Sequence, residues 1–187
     1  MSVFEFLLTL YAIVAGLGVS LLVRSVGQLI EARDRVRLYW VHSSWIALTF
    51  VGYVVSWFEI WRFHDHAPWT VLQALLLLSV PILLYLISHL AVPELEDDLV
   101  HDMRQYYYCH ARWTQGLMLC VMVAGALSQV VIEGHFDFAN ARGLRAAIAL
   151  IVVPGIISTR PRIHAAQAVL LVIAMAIAVA YVTAPIG

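Results

Sequence analysis

Polar and ionisable side chains recur at helical spacing in the second apolar segment of the chain, residues 39–61. Steps of three or four residues connect His42, Trp45, Thr49, Gly52, Ser56 and Glu59. Residues at such steps lie on one face of an α-helix. Ionisable groups inside a membrane are costly and often mark ion or proton routes. This face therefore predicts a transport pathway that includes Glu59, His42, Ser56 and Thr49.

A second series with helical spacing runs through the first apolar segment, residues 3–23. It consists of Glu5, Thr9, Ala12, Gly16, Ser20 and Arg24. If the two segments pack on these faces, Glu5 and Glu59 meet near one membrane surface, and Glu5 joins the pathway. A simpler interpretation needs no ligand, because small residues spaced by four let helix backbones approach closely. On that interpretation the two helices pack through Ala12, Gly16, Ser20 and Gly52.

Imidazoles and carboxylates also collect in two predicted loops on one side of the membrane. His64 and His66 lie in one loop, and His135 and Asp137 lie in the other, after Glu133. Such ligands suit zinc, copper, nickel or iron, and His64 and His66 point the same way if their loop is extended. These residues predict a candidate metal site, with an exposed polar loop as the alternative.

A third group combines His42 with His89. They lie near the same membrane surface, at the start of the second apolar segment and the end of the third. Two histidines at one level on facing helices can hold a haem between them. The pair predicts a haem b site, with interfacial hydrogen bonding as the alternative. A metal ion and haem b are the two candidate cofactors.

The composition indicates that lipid surrounds the elements that carry these residues. Of the 187 residues, 63% are hydrophobic and only 12% are charged, against about 25% charged in ordinary soluble domains. The net charge of −1 gives no basic surface for nucleic acid. There is no lysine, which excludes Schiff-base chemistry with retinal or pyridoxal phosphate. No motif of a soluble enzyme is present, so an enzymatic activity is not predicted.

Six apolar segments are long enough, or nearly so, to cross a bilayer as helices. They are residues 3–23, 39–61, 69–90, 113–132, 143–158 and 164–184. The predicted fold is an all-α, polytopic membrane helical bundle, a single domain with short loops. Residues 93–110 predict a separate amphipathic helix on the cytoplasmic surface, because apolar side chains form a stripe along it.

The arginines predict the orientation. With six spans, eight arginines fall on one side: Arg24, Arg33, Arg35, Arg37, Arg104, Arg112, Arg160 and Arg162. Three fall on the other: Arg62, Arg142 and Arg145. Basic residues concentrate on the cytoplasmic side of membrane proteins. Both termini are therefore expected outside the cytoplasm, in the periplasm if the protein is bacterial.

The start of the second segment resembles a known pattern. The stretch Arg35-Val36-Arg37-Leu38-Tyr39-Trp40-Val41-His42, followed by Trp45, Trp57 and Trp61, resembles uncharacterised small multi-spanning proteins of the bacterial inner membrane. The resemblance covers about the first half of the chain. It implies a bacterial inner membrane and no particular activity.

Three functional hypotheses follow. The leading one is a small channel or transporter, or a subunit of one, for protons, ions or a small solute. The second is a metal- or haem-binding redox subunit. The third is a non-catalytic accessory subunit of a larger membrane complex. The expected partners are the lipid bilayer and either further copies of the chain or other membrane subunits.

Overall fold

The computed structural model of the protein describes residues 2–93, 100–134 and 141–183. These residues form six helices: α1 (Val3–Glu31), α2 (Trp40–Trp61), α3 (Val71–His89), α4 (Met103–Glu133), α5 (Ala141–Ile157) and α6 (Pro161–Thr183). Two short strands, β1 (Val36–Arg37) and β2 (His101–Asp102), pair in parallel. The predicted all-α bundle is confirmed.

Among the described residues, α1, α2, α3, α4 and α6 are long and apolar enough to span a membrane. A lipid bilayer is therefore the environment of the bundle. α5 has 17 residues, which gives it a length of about 25 Å. Contacts along its length show that it also runs through the bundle: Arg145, near its start, reaches the second half of α4, and Ile151, past its middle, accepts a hydrogen bond from Gln167 in the first turns of α6.

The bundle has two ends. We call the end that holds the starts of α1, α3 and α5 the terminal end, because the last helix also finishes there. We call the opposite end the arginine-rich end, because eight of the eleven arginines lie towards it. At this end β1 pairs with β2, and Val36 and Met103 pack with Leu29 and Ala32 in a small second core.

The predicted separate helix over residues 93–110 is wrong in part. Residues 94–99 lie outside the described residues, but from Met103 onward the chain is one helix of 31 residues that continues through the fourth span. Asp102 caps its start by accepting hydrogen bonds from the backbone N–H groups of Arg104 and Gln105 at 2.8 and 3.3 Å. No proline or glycine interrupts residues 103–115, so nothing separates a surface helix from the span.

The predicted packing face of α1 is also wrong. The buried face carries larger side chains and different small residues: Phe4, Leu7, Tyr11, Ala15, Gly18 and Leu22. Gly16 and Ser20 are exposed, Ala12 is half-buried, and no described atom would contact a side chain at Gly16 within 4 Å. α1 packs chiefly on α3 rather than on α2.

Candidate functional site

The polar face of α2 lies inside the bundle. His42, Trp45, Thr49 and Ser56 are all buried, and Glu59 and Gly52 are half-buried. α2 packs on α6 and α3, so this face lies among the other helices. The sequence therefore identified the interior face of this helix correctly, although a role in transport stays a prediction.

A central cavity, here called the terminal cavity, lies in the half of the bundle towards the terminal end. Its volume is about 100 Å³. Each of the six helices contributes to its wall, through Tyr11, Ser56, Leu84, Met118, Ile148 and Met175 among others. Glu59 and Arg145 line the part of the cavity that is nearest the terminal end of the bundle. Gly52 and Met118 line the part that lies deeper in the bundle. An engineered cavity of about 150 Å³ can hold benzene, so this one suits only small occupants.

The ion pair between Glu59 and Arg145 forms one wall of the terminal cavity. The Nη2 atom of Arg145 donates to the Oε2 atom of Glu59, and both side chains are largely buried, at 13% and 20% exposed. Arg145 also donates from Nη1 to the carbonyl oxygen of Gly125 at 3.1 Å. This pair connects α5 to α2, whereas α5 otherwise packs mainly on α4 and α6. From the sequence, Arg145 was expected near the start of the fifth apolar segment, on the side of the membrane with fewer arginines, and its partner was not predicted.

Other polar groups around the terminal cavity are partly used by the backbone. Ser56 donates to the carbonyl oxygen of Tyr53 at 2.9 Å, and Ser128 donates to that of Ala124 at 2.8 Å. Gln129 is buried, and its side-chain oxygen has no hydrogen-bond partner among the described residues. The hydroxyl groups of Ser56 and Ser128 are therefore already engaged as donors, and the side-chain oxygen of Gln129 remains as an acceptor.

A second, smaller cavity, here called the inner pocket, lies towards the arginine-rich end. Its volume is about 20 Å³, enough for about one water molecule. The α2 face contributes His42, Trp45 and Thr49 to its wall, and α4 contributes Tyr106, Tyr107, His110 and Thr114.

The two cavities lie one helical turn apart on three helices. On α2, Thr49 lines the inner pocket and Gly52 lines the terminal cavity. On α3 the corresponding residues are Ile87 and Leu84, and on α4 they are Thr114 and Met118. Three or four residues of helix rise by about 4.5–6 Å. A thin layer, here called the separating layer, therefore divides the cavities, with the buried Leu84 opposite Gly52.

A buried polar network joins α4, α5 and α6 near the arginine-rich end. Gln115 donates to the Tyr107 hydroxyl at 3.3 Å, and its amide nitrogen lies 3.1 Å from Nδ1 of His164. The Tyr107 hydroxyl lies 2.9 Å from the same ring nitrogen. Gln167 donates to the side-chain oxygen of Gln115 at 3.0 Å. Gly155 makes room for the two glutamines, since a side chain there would overlap both.

Sequence reasoning missed this network, although one signal was present. Gln115 and Gln167 are amides inside otherwise apolar spans, and such side chains usually hydrogen-bond across helices in membranes. His164 is 1% exposed, and its Nε2 donates to the carbonyl oxygen of Ser158 at 2.7 Å. Because Nε2 carries the proton in that bond, Nδ1 is the acceptor that faces Tyr107 and Gln115.

Glu5 does not meet Glu59. Its carboxylate accepts a hydrogen bond from the backbone N–H of Ser2 at 2.8 Å, and the Ser2 hydroxyl accepts one from the backbone N–H of Glu5 at 3.1 Å. This reciprocal pair is a capping box at the start of α1. Glu5 is exposed and does not line the terminal cavity.

The two histidines expected to hold haem do not face a common gap. His42 is buried, and its Nε2 donates to the carbonyl oxygen of Ala91 at 2.6 Å, whereas His89 is exposed. The expected pairing is wrong because His42 lies on the interior face of α2, whereas His89 lies on the surface of the bundle at the end of α3.

The proposed metal ligands are placed only in part. His64 Nε2 lies 2.9 Å from the carboxylate of Asp65, and its Nδ1 donates to the carbonyl oxygen of Trp61. The ring of His66 packs edge-on against Trp69 at 5.0 Å. His135 and Asp137 lie outside the described residues. Within residues 2–93, 100–134 and 141–183 no group of three or more potential metal ligands occurs.

The chain was compared with known protein families, curated proteins and solved structures, and it matches none of them.

Proposed function

We propose that the chain provides a narrow pathway across the bilayer for protons, or for another ion or solute of similar size. It acts either as a homo-oligomer or as a subunit of a larger membrane complex. One observation carries the proposal: the terminal cavity and the inner pocket approach each other from opposite ends and share the polar face of α2.

The separating layer makes this arrangement a closed pathway. Leu84 fills the space opposite Gly52, where an added side-chain carbon would lie 3.7 Å from a Leu84 methyl group. An apolar constriction blocks ions when it excludes water. A small displacement of α3 relative to α2 would join the two cavities, since only one helical turn divides them.

The pair of Glu59 and Arg145 gives the pathway a polar group without a net charge. A lone carboxylate in this position would be costly, and its partner guanidinium offsets that cost. A proton that reaches Glu59 competes with Arg145 for the carboxylate. Glu59 is therefore assigned as the proton-accepting group of the terminal cavity.

The arginine distribution supports an orientation in a bacterial inner membrane. With eight arginines towards one end and three towards the other, the arginine-rich end faces the cytoplasm. Both termini and the terminal cavity then lie on the periplasmic side.

Proton flux in liposomes tests the proposal. The parent protein, Glu59→Gln and the control Glu5→Gln are reconstituted with a pH-sensitive dye inside the vesicles. Flux is measured per folded protein, because Glu59→Gln also removes one partner of the ion pair. On that basis Glu59→Gln should reduce flux by about tenfold or more, because a positioned proton-transfer group commonly contributes at least that much. Glu5→Gln retains an acceptor for the capping box and should conduct like the parent. No flux in the parent, or equal flux in all three proteins, would reject the proposal.

An accessory subunit is the second candidate, and the outward face of α1 favours it. Thr9, Gly16 and Ser20 are exposed on that face, where small residues would let a helix of another membrane protein approach closely. Cysteine cross-linking from Gly16 in native membranes tests it. A single cross-linked partner other than the chain itself, together with no flux, would favour this candidate over the first.

A further inference from the structure

Two buried polar atoms of the inner pocket have complementary hydrogen-bonding needs. Nδ1 of His42 and Nε1 of Trp45 each lack a hydrogen-bond partner among the described residues. His42 is 4% exposed and Trp45 is 3% exposed, so bulk water does not reach them freely. A buried polar group without a partner is costly, and two in residues that line one pocket need an explanation.

The hydrogen bond to Ala91 fixes the roles of these atoms. A carbonyl oxygen only accepts, so Nε2 of His42, which lies 2.6 Å from the Ala91 oxygen, carries the ring proton. Nδ1 of the neutral ring is then an acceptor. The indole Nε1–H of Trp45 is a donor only. The Trp45 N–H interacts with the hydroxyl of Tyr107, but no acceptor meets the geometry of a hydrogen bond with it. The pocket thus presents one incompletely satisfied donor and one free acceptor.

We infer that the inner pocket binds a single water molecule between Trp45 and His42, and that this water delivers protons to Nδ1 of His42 from the arginine-rich end. The pocket volume of about 20 Å³ matches one water, which needs two to four polar partners. The water accepts from Trp45 and donates to His42. When a hydronium ion forms there, its proton passes to Nδ1, which leaves an imidazolium ring and a neutral water.

The surroundings of His42 allow this transfer. The rings of Tyr106 and Tyr107 on α4 lie edge-on to the imidazole at 6.1 and 6.5 Å. His110 on the same helix also lines the pocket, and it uses its Nδ1 for a hydrogen bond to the carbonyl oxygen of Tyr106 at 3.1 Å. Among the described residues that line the pocket there is no carboxylate and no arginine. A proton on His42 is therefore not trapped by a counter-ion and can move on.

The delivery of protons by this water rests on the proposed function, whereas the presence of the water can be tested independently of any flux. Protein in lipid nanodiscs, with ¹⁵N in histidine and tryptophan, is studied by NMR, and His42→Gln and Trp45→Phe assign the two signals. We expect a protonated Nε2 and an unprotonated Nδ1 in His42 at neutral pH, and magnetisation transfer between water and the Trp45 indole proton. A proton on Nδ1, or no contact between water and Trp45, would overturn the water site.

Flux in liposomes tests the delivery of protons. The side-chain amide of His42→Gln can keep the hydrogen bond to Ala91, but it cannot take up a proton at the position of Nδ1. This variant should fold like the parent and lose proton flux by about tenfold or more. His89→Gln, at an exposed position on α3, is the control. Unchanged flux in His42→Gln would overturn the role of His42. A water contact in a parent protein without flux would reject the proposed function but leave the water site standing.

Discussion

The hydroxyl group of Tyr53 on α2 occupies the space that a side chain at Gly18 on α1 would need. Tyr53 is 3% exposed, and its hydroxyl lies 3.1 Å from that of Ser88 on α3. Gly18 therefore lets one tyrosine join three helices. Because the ring is buried and hydrogen-bonded, it cannot move aside without breaking that bond.

Gly18→Ala should destabilise the protein by about 1–3 kcal/mol, the usual scale for overpacking. Gly16→Ala is the matched control on the same helix, since no described atom lies within 4 Å of the added carbon. It should leave stability unchanged or raise it by about 0.5–1 kcal/mol, because alanine favours helix more than glycine does. Thermal unfolding in detergent measures both. If Gly16→Ala were the more damaging change, Gly16 rather than Gly18 would face the interior of the bundle.

The interior face of α2 could be predicted from the sequence, whereas that of α1 could not. On α2 the ionisable groups are strong markers, because His42 and Glu59 are costly in contact with lipid. On α1 the ionisable residues Glu5 and Arg24 lie towards the two ends of the predicted span, where a charged side chain can reach water. Between them neither face carries a charge, and lipid tails are as apolar as leucine. Helical spacing identified a face in each helix, but only the cost of placing charge in lipid tells which face is inside.

The partners of the polar side chains could not be predicted either. Glu59 and Arg145 are separated by 86 positions in the sequence, and Gln115 and Gln167 by 52. Which helices neighbour one another depends on packing across the whole bundle, and a single sequence contains no direct record of it. Helix number and apolar character, in contrast, depend on local composition and were predicted well.

Removing one partner of the ion pair should cost more than removing both. Glu59→Gln and Arg145→Gln each leave a largely buried charge without its partner, and each should lower the free energy of unfolding by roughly 3 kcal/mol. The double variant has neither charge, and its loss should be smaller than the sum of the two single losses by about 0.5–3 kcal/mol. Denaturation of the four proteins in detergent gives the coupling energy. Additive losses would show that the two side chains do not interact in the folded protein.

The proposed orientation predicts which cysteines an impermeant thiol reagent reaches from outside the cell. Asp65→Cys, in a background without Cys109 and Cys120, places a thiol at an exposed position of the terminal end, where the aspartate side chain is 89% exposed. It should react in intact cells. Native Cys109 is exposed near the arginine-rich end, and it should react only after the membrane is opened. The opposite pattern would reverse the orientation and place the terminal cavity on the cytoplasmic side.

The separating layer predicts two substitutions with opposite effects on flux. Leu84→Ala removes the side chain that divides the terminal cavity from the inner pocket, so flux should rise above that of the parent. Truncation of a buried leucine also costs about 2–5 kcal/mol, so the folded fraction is measured in the same preparation. Leu86→Ala, on the lipid-facing side of the same helix at 42% exposed, is the control and should leave flux unchanged.

Gly52→Val adds carbon atoms opposite Leu84, where the first added carbon lies 3.7 Å from a Leu84 methyl group, and it should lower flux. Proton uptake by liposomes of matched protein content measures all four proteins. If Leu84→Ala and Leu86→Ala conduct equally, the cavities do not join at this layer, and the pathway lies elsewhere in the bundle.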